Sequence, residues 1–201
     1  IGRFNVSNVL AIAGVLFARG LSWNSVIRHL ESLVAVPGRM QQLGNADGPL
    51  AVIDYAHTPD ALAHILSALR DVATARRGRL LCLFGCGGDR DPGKRPEMGR
   101  AAMAGADEVW ISSDNPRGED PEAIMAAIAQ GAPGAHRMVD RAQAIAQVVA
   151  NAAAGDVILL AGKGHESTQE IRGQRYPFDD AVHAQAALDA WHAAQQTAGV
   201  M

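Results

Sequence analysis

With 201 residues and a hydrophobic content of 48%, the chain can bury the core of one domain of average size and a piece of a second. Its formal net charge of −3, with acidic and basic residues interspersed, excludes a broad basic field for nucleic acid and a polybasic patch for membranes. No apolar run approaches the ~20 residues of a membrane span and no signal-peptide pattern precedes the first element, so the expected setting is soluble and cytoplasmic.

The chain opens on Ile1-Gly2-Arg3-Phe4-Asn5-Val6-Ser7-Asn8, which leads into an apolar run over residues 9–17. That run reads as a well-buried helix closed by Gly20, and a second helix follows from a Ser22 cap through Leu33. A start on Ile1 at a helix entry reads as a cut from a longer chain, and two helices without strands of their own do not make a domain. Val36-Pro37-Gly38-Arg39 breaks the helical pattern, and the polar Gly/Asn/Asp stretch that runs to Pro49 reads as a linker or boundary.

Beyond it, strand and helix alternate. Residues 50–53 form a β-type run ending in Asp54-Tyr55-Ala56-His57, and Thr58-Pro59-Asp60 supplies a cap, a proline at the first helical position and an acidic first turn for a helix to about Ala75. Residues 80–84 are a second strand, buried on both faces, running into Gly85-Cys86-Gly87-Gly88 and the charge cluster Asp89, Arg90, Asp91, Lys94 and Arg95. Pro96 opens a helix to Ala104. Residues 109–112 are a third strand, ending in Asp114-Asn115-Pro116-Arg117, and Asp120-Pro121-Glu122 caps the next helix. An edge strand near residues 137–139 and a helix from Asp140 to Ala154 precede the most strand-like segment, residues 157–161, which ends in Gly162-Lys163-Gly164-His165-Glu166. A hairpin about Gly173-Gln174 and a helix over residues 180–193 complete the chain. The order implies an α/β, Rossmann-like, doubly wound and mostly parallel sheet.

In such a sheet the four strand ends DYAH, GCGGDRD, DNPR and GKGHE lie along one edge, where open α/β sheets bind ligands. The chemistry this excludes is informative. Gly162-Lys163-Gly164-His165 lacks the G-x-x-x-x-G-K-[ST] spacing of a Walker A loop, GCGGDRD lacks the G-x-G-x-x-G of a dinucleotide binder, and His165-Glu166 has no second histidine at zinc-protease spacing. Cys82 and Cys86 have no second Cys/His pair at metal spacing and read as a core thiol and a loop thiol. His29, His64, His136, His183 and His192 read as surface or packing residues. A Rossmann-like dinucleotide-binding domain and a non-enzymatic binding domain remain as alternatives.

The segments GRFNVSN, PGRM, DYAHTPDAL, FGCGGDRDPGKRP, DNPR and AGKGHE, in this order and spacing, resemble the C-terminal part of the MurE-type Mur ligases, the UDP-N-acetylmuramoyl-tripeptide synthetases. The resemblance implies that residues 1–36 are the last helices of a central ATPase domain and residues 37–201 a C-terminal domain. The N-terminal domain that holds the UDP-sugar, the Walker A loop and the carbamylated lysine that assists Mg²⁺ would lie outside the chain, which is therefore not expected to catalyse by itself. It also implies ATP and Mg²⁺ as cofactors of the whole enzyme, and a reaction in which ATP phosphorylates the carboxylate of UDP-N-acetylmuramoyl-L-alanyl-D-glutamate before an amino acid's amine displaces phosphate. By the resemblance, Asn5 and Asn8 lie near the adenine, while Arg39, Asp54, Tyr55 and His57 reach the ribose and phosphates. Arg90, Asp114, Asn115, Pro116, Arg117, Gly162 and Glu166 would surround meso-diaminopimelate. An L-lysine-adding relative is the alternative, and such relatives lack the arginine of DNPR.

Overall fold

The computed structural model describes residues 3–33 and 36–198. Two helices come first, α1 (Arg3–Ala18) and α2 (Trp23–Glu31), the latter capped by Ser22, whose side chain accepts from the Ser25 amide. They pack chiefly on each other. The expectation of a well-buried first helix is corrected here: Leu10, Val15 and Phe17 are each more than 60% exposed. An apolar run fixes the tendency to be buried but not the surface that does the burying.

The linker expected before Pro49 contains a short strand, β1 (Gln41–Leu43), antiparallel to β2 (Leu50–Asp54). Its three residues, two of them glutamines, lie below the length at which alternation can be read from sequence. The α/β units then follow: α3 (Pro59–Arg76), β3 (Leu80–Phe84), α4 (Lys94–Gly105), β4 (Glu108–Ser112), α5 (Pro121–Ala129), β5 (His136–Met138), α6 (Arg141–Ala150) and β6 (Val157–Ala161). The hairpin β7 (Thr168–Ile171) and β8 (Gln174–Pro177) and the helix α7 (Asp180–Ala198) close the chain. The Thr58, Asp120 and Asp140 side chains cap α3, α5 and α6 by accepting backbone N–H groups. Helix α4 begins two residues before Pro96, because Lys94 and Arg95 take the first-turn positions that leave the ring free of an upstream carbonyl. Helix α6 ends at Ala150 rather than Ala154.

The main sheet has six strands in the order β1-β2-β6-β3-β4-β5, parallel except for β1. The chain steps outward from β2 through β3 and β4 to β5 and then returns to insert β6 between β2 and β3. Right-handed crossovers therefore place α3, α4 and α5 on one face and α6 on the other, where α7 joins it. Each central strand feeds both cores: Leu80, Cys82 and Phe84 pack toward α3 and α4, while Leu81 and Leu83 pack toward α6 and α7. The inserted β6 makes the carboxyl ends of β2, β6, β3 and β4 consecutive neighbours. DYAH, GKGHE, GCGG and DNPR thus form one row in that order.

Candidate functional site

At one end of the row, the turn after β2 is fixed by Asp54. Its buried carboxylate accepts from the Met40 amide at 3.0 Å and the Ala56 amide at 2.8 Å, joining β2 to the segment before β1. Each oxygen accepts from a backbone amide, so Asp54 fixes the turn that frames this end of the row. Its neighbours face outward. The Arg39 guanidinium lies 4.9 Å from the centroid of the Tyr55 ring, and that ring meets His57 at 4.7 Å and His165 at 5.5 Å. Gly38 makes this possible: at φ +67°, a Cβ there would meet the His165 amide nitrogen and the backbone of Gly164, so only glycine lets the two loops touch. Lys94 Nζ donates to the His57 carbonyl at 3.0 Å and ties in the loop after β3. Arg39, Tyr55 and His57 are thus brought together. Asn8 sits on α1, whose main packing partner is α2 rather than this edge, and the Asn5 side chain lies outside the described residues.

At the other end, the loops after β3 and β4 interlock. The Gly88 amide donates to the Asn115 carbonyl at 2.9 Å, and a Cβ on Gly88 would lie 2.0 Å from the buried Pro116 carbonyl oxygen. Arg117 Nη1 donates to the Gly88 carbonyl at 2.8 Å. Arg90 and Arg117 flank Gly87, whose missing Cβ would stand 2.7 Å from Arg117 Nη1 and 3.8 Å from Arg90 Cγ. Arg117 takes a left-handed φ of +50°, held by backbone bonds to the hairpin: its amide donates to the Glu170 carbonyl and its carbonyl accepts from the Arg172 amide. Its Nε faces Glu170 at 3.7 Å.

Between the two ends lies the loop after β6. Gly162 takes φ +109°, and a Cβ there would stand 3.5 Å from Asp114 Oδ2. The Gly162 amide donates to the Asp54 carbonyl at 3.1 Å and ties the loop after β6 to the end of β2. Asp114 is buried, and burial pushes its carboxyl above the usual range, opposed by the charges of Arg141 and Lys163. Asn115 Nδ2 donates to Glu166 Oε2 at 2.8 Å while its Oδ1 accepts from the Glu170 amide at 2.9 Å.

Two features were missed from sequence. Lys163 is fully buried, its Nζ 3.2 Å from Glu166 Oε2, 3.3 Å from Asn115 Oδ1, 3.5 Å from Asp114 Oδ1 and 2.8 Å from the Thr168 carbonyl. The only signal was a lone charge between glycines directly after a buried strand. Beneath it, the fully buried Arg141 is clasped by Asp180 through Nε and Nη2, both at 2.8 Å, and Nη2 also donates to the last carbonyl of β6. Cys86, expected as a loop thiol, is buried, and burial raises it to about 11, with Cys82 at about 12; neither is a nucleophile near neutral pH.

The row therefore offers an aromatic and cationic group at one end, a pair of arginines at the other, and carboxylates between them. A family model described as "Mur ligase, glutamate ligase domain" matches residues 38–164. A protein of Janthinobacterium sp. (strain Marseille) named UDP-N-acetylmuramoyl-L-alanyl-D-glutamate–2,6-diaminopimelate ligase is 56% identical over 192 residues, 94% of this chain and 38% of its own length. A relative of the same name from Pseudomonas aeruginosa is 53% identical over 194 residues, covering 95% and 39%. A solved structure of a ligase of that name superposes with a TM-score of 0.75 at 46% identity, over 96% of this chain and 39% of its own. A folylpolyglutamate synthase/dihydrofolate synthase with Mn, AMPPNP and L-glutamate bound aligns at a TM-score of 0.57 and 25% identity, over 72% of this chain and 33% of its own. The chain spans about 38% of the length of the curated relatives it matches. With a family model over more than half its residues and this fold, the chain belongs to the Mur ligase family, of which it carries the glutamate ligase domain.

Proposed function

We propose that the chain is the amino-acid-binding, C-terminal part of an ATP-dependent ligase that adds meso-diaminopimelate to UDP-N-acetylmuramoyl-L-alanyl-D-glutamate. Residues 37–201 form its C-terminal domain, and residues 1–36 are the last helices of the preceding ATPase domain. In the reaction, the glutamate carboxylate attacks the γ-phosphorus of ATP and ADP leaves; the amine of the incoming amino acid attacks the acyl phosphate, loses a proton, and inorganic phosphate leaves. Such chemistry rests on positioning and on neutralising phosphoryl charge. Arg39, on the segment that joins the two parts, and the Tyr55, His57 and His165 rings form the face presented to the nucleotide. ATP and Mg²⁺ serve the whole enzyme, and among the described residues no group of three or more His, Cys, Asp or Glu is placed to hold a metal ion. A relative of this fold solved with a nucleotide analogue and L-glutamate supports nucleotide and amino-acid binding on one scaffold. We place the reaction in the cytoplasm, where its nucleotide substrates are; no helix of the described residues is long and apolar enough to cross a membrane.

The observation that carries the choice of amino acid is that Arg90 and Arg117 both stand beside Gly87, with Asp114 on the same loop as Arg117 and Glu166 on the loop after β6, the neighbour of β3. Diaminopimelate and lysine share a chain length and both amines; only the former adds a distal carboxylate, and it needs a cation there and an anion for the ammonium beside it. Arg117 spends one Nη1 hydrogen on Gly88 and turns its Nε toward Glu170 at 3.7 Å, which leaves Nη2 and the second Nη1 hydrogen for a ligand carboxylate. Lysine would leave the Nη edge of that guanidinium without its ligand carboxylate in a closed site, with only Glu170 at 3.7 Å from Nε, at a cost of about 2 to 5 kcal/mol, or roughly 30- to several-thousand-fold in selectivity. The full-length protein assayed with both amino acids is expected to favour meso-diaminopimelate by that ratio, and Arg117→Ala to lose most of it. A preference for lysine in the wild type, or an Arg117→Ala variant with undiminished selectivity, would sink the assignment.

A further inference from the structure

A lysine with no solvent exposure is costly unless its charge is matched, and Lys163 is matched by groups from three segments. Its Nζ reaches Asp114 and Asn115 after β4, Glu166 on its own loop and the Thr168 carbonyl at the start of β7. Asp114 Oδ1, within 3.5 Å of that Nζ, is buried without a hydrogen-bond partner. Two carboxylates around one ammonium leave a single negative charge, and one carboxylate oxygen there still lacks a donor. That is the electrostatic shape of a seat for one more cationic nitrogen.

We propose that Lys163 is a positioning residue for the incoming amino acid, holding Asp114, Asn115 and Glu166 as one wall of acceptors whose single net negative charge receives the ligand's ammonium group. This rests on the reading of the row as the amino-acid site and goes beyond it by assigning the wall's assembly to a residue that does not itself face the ligand. The charged groups acting on Asp114 are Arg141 from α6, Asp180 from α7, and Lys163 and Glu166 from the loop after β6. With Lys163 gone, Asp114 and Glu166 face each other without a shared cation, the Asp114 carboxyl rises further, and the wall loses its charge where a proton replaces the ligand. The Asn115 amide also loses one of the two donors that fix its orientation.

The test is Lys163→Met in the full-length protein, a change that keeps side-chain length in an apolar form, with KM for meso-diaminopimelate, KM for ATP, kcat and the thermal midpoint all measured. The expected result is a rise of about tenfold or more in the amino acid's KM with the ATP KM within about twofold, and an acid limb of kcat/KM for the amino acid moved to higher pH. Glu166→Gln serves as the second variant should Lys163→Met fold poorly. It removes a like charge beside Asp114 from a position one-third exposed, and its acid limb is expected to move to lower pH. An unmoved amino-acid KM, an equal rise in both KM values, or a Glu166→Gln profile whose acid limb stays in place would overturn the proposal. Should the wild type ignore meso-diaminopimelate and use another amino acid, the functional reading fails while Lys163 is judged on the KM of that amino acid by the same criteria.

Discussion

Asp156, at the amino end of β6 and 1% exposed, shows how one carboxylate joins two strands. It accepts from the Arg79 amide at 2.7 Å, the Ala153 amide at 2.9 Å and the Arg79 guanidinium at 2.7 Å and 3.1 Å. Burial alone would raise its pKa above the usual carboxylate value, but those donors outweigh burial and hold it below. A group whose folded value is depressed stabilises the fold above its unfolded value, and that contribution disappears as pH falls through the folded one. Asp156→Asn is therefore expected to destabilise by about 2 to 3 kcal/mol at neutral pH and by clearly less near pH 3, measured by urea unfolding at both. Equal losses at the two pH values would show that the charge of Asp156 is immaterial. Sequence alone does not reveal such residues: Asp156 reads as an ordinary turn aspartate, and Lys163 as a loop charge, because the donors and acceptors that make each worth burying come from remote segments. The place of Arg90, Arg117, Tyr55 and His57 along one sheet edge was legible because they sit in the motifs that end the strands, and strand ends are set by local pattern.

At the scale of elements, the β7–β8 hairpin is the piece whose position depends most on the site. It has only two strands, an arrangement of marginal stability unless it leans on something else. It leans on the loop after β4, through the bridge from Arg117 to Ile171 and through the Asn115 side chain, which accepts from the Glu170 amide. Gln169 adds a bond from its Nε2 to the Asp114 carbonyl at 2.7 Å. The hairpin itself was expected from its Gly173 turn, but its docking was not, since the contacts run through side chains that the pattern of hydrophobicity does not see. Asn115→Ala removes the acceptor of Glu170 and the donor to Glu166 while leaving the Arg117 backbone bonds in place. Amide exchange at Glu170 is expected to quicken roughly five- to tenfold, the worth of about 1 kcal/mol, with the amides of β3 and β6 unaffected. Exchange at Glu170 that stays at the wild-type rate would mean the bridge at Arg117 holds the hairpin by itself.

At the scale of the whole molecule, α1 and α2 pack chiefly on each other, and the domain boundary proposed above falls between α2 and the strand region. The alternating βα order foretold the parallel sheet, and handedness foretold helices on both faces, but not the return of β6 into the gap between β2 and β3: a run of five buried residues carries no address within the sheet. Both buried cores lie within the sheet, the helices α3 to α7 and their loops, and among the described residues of the first two helices only Ala13 and Val26 are buried. Val6, Leu10, Val15 and Phe17 are each at least 60% exposed, so their apolar area contributes little to holding this chain together. The contacts that the strand region does need begin later, with Gly38 against Gly164 and the Met40 amide on Asp54. A chain starting at Val36 is therefore expected to fold with a thermal midpoint within about 3 °C of the 201-residue chain, a shift that corresponds to about 1 kcal/mol at this size. It is also expected to self-associate less, because an exposed apolar helix surface has been removed. Light scattering and thermal unfolding of the two chains side by side check both statements. A fall of more than about 10 °C would place α1 and α2 within the same cooperative unit as the sheet, against the boundary drawn here.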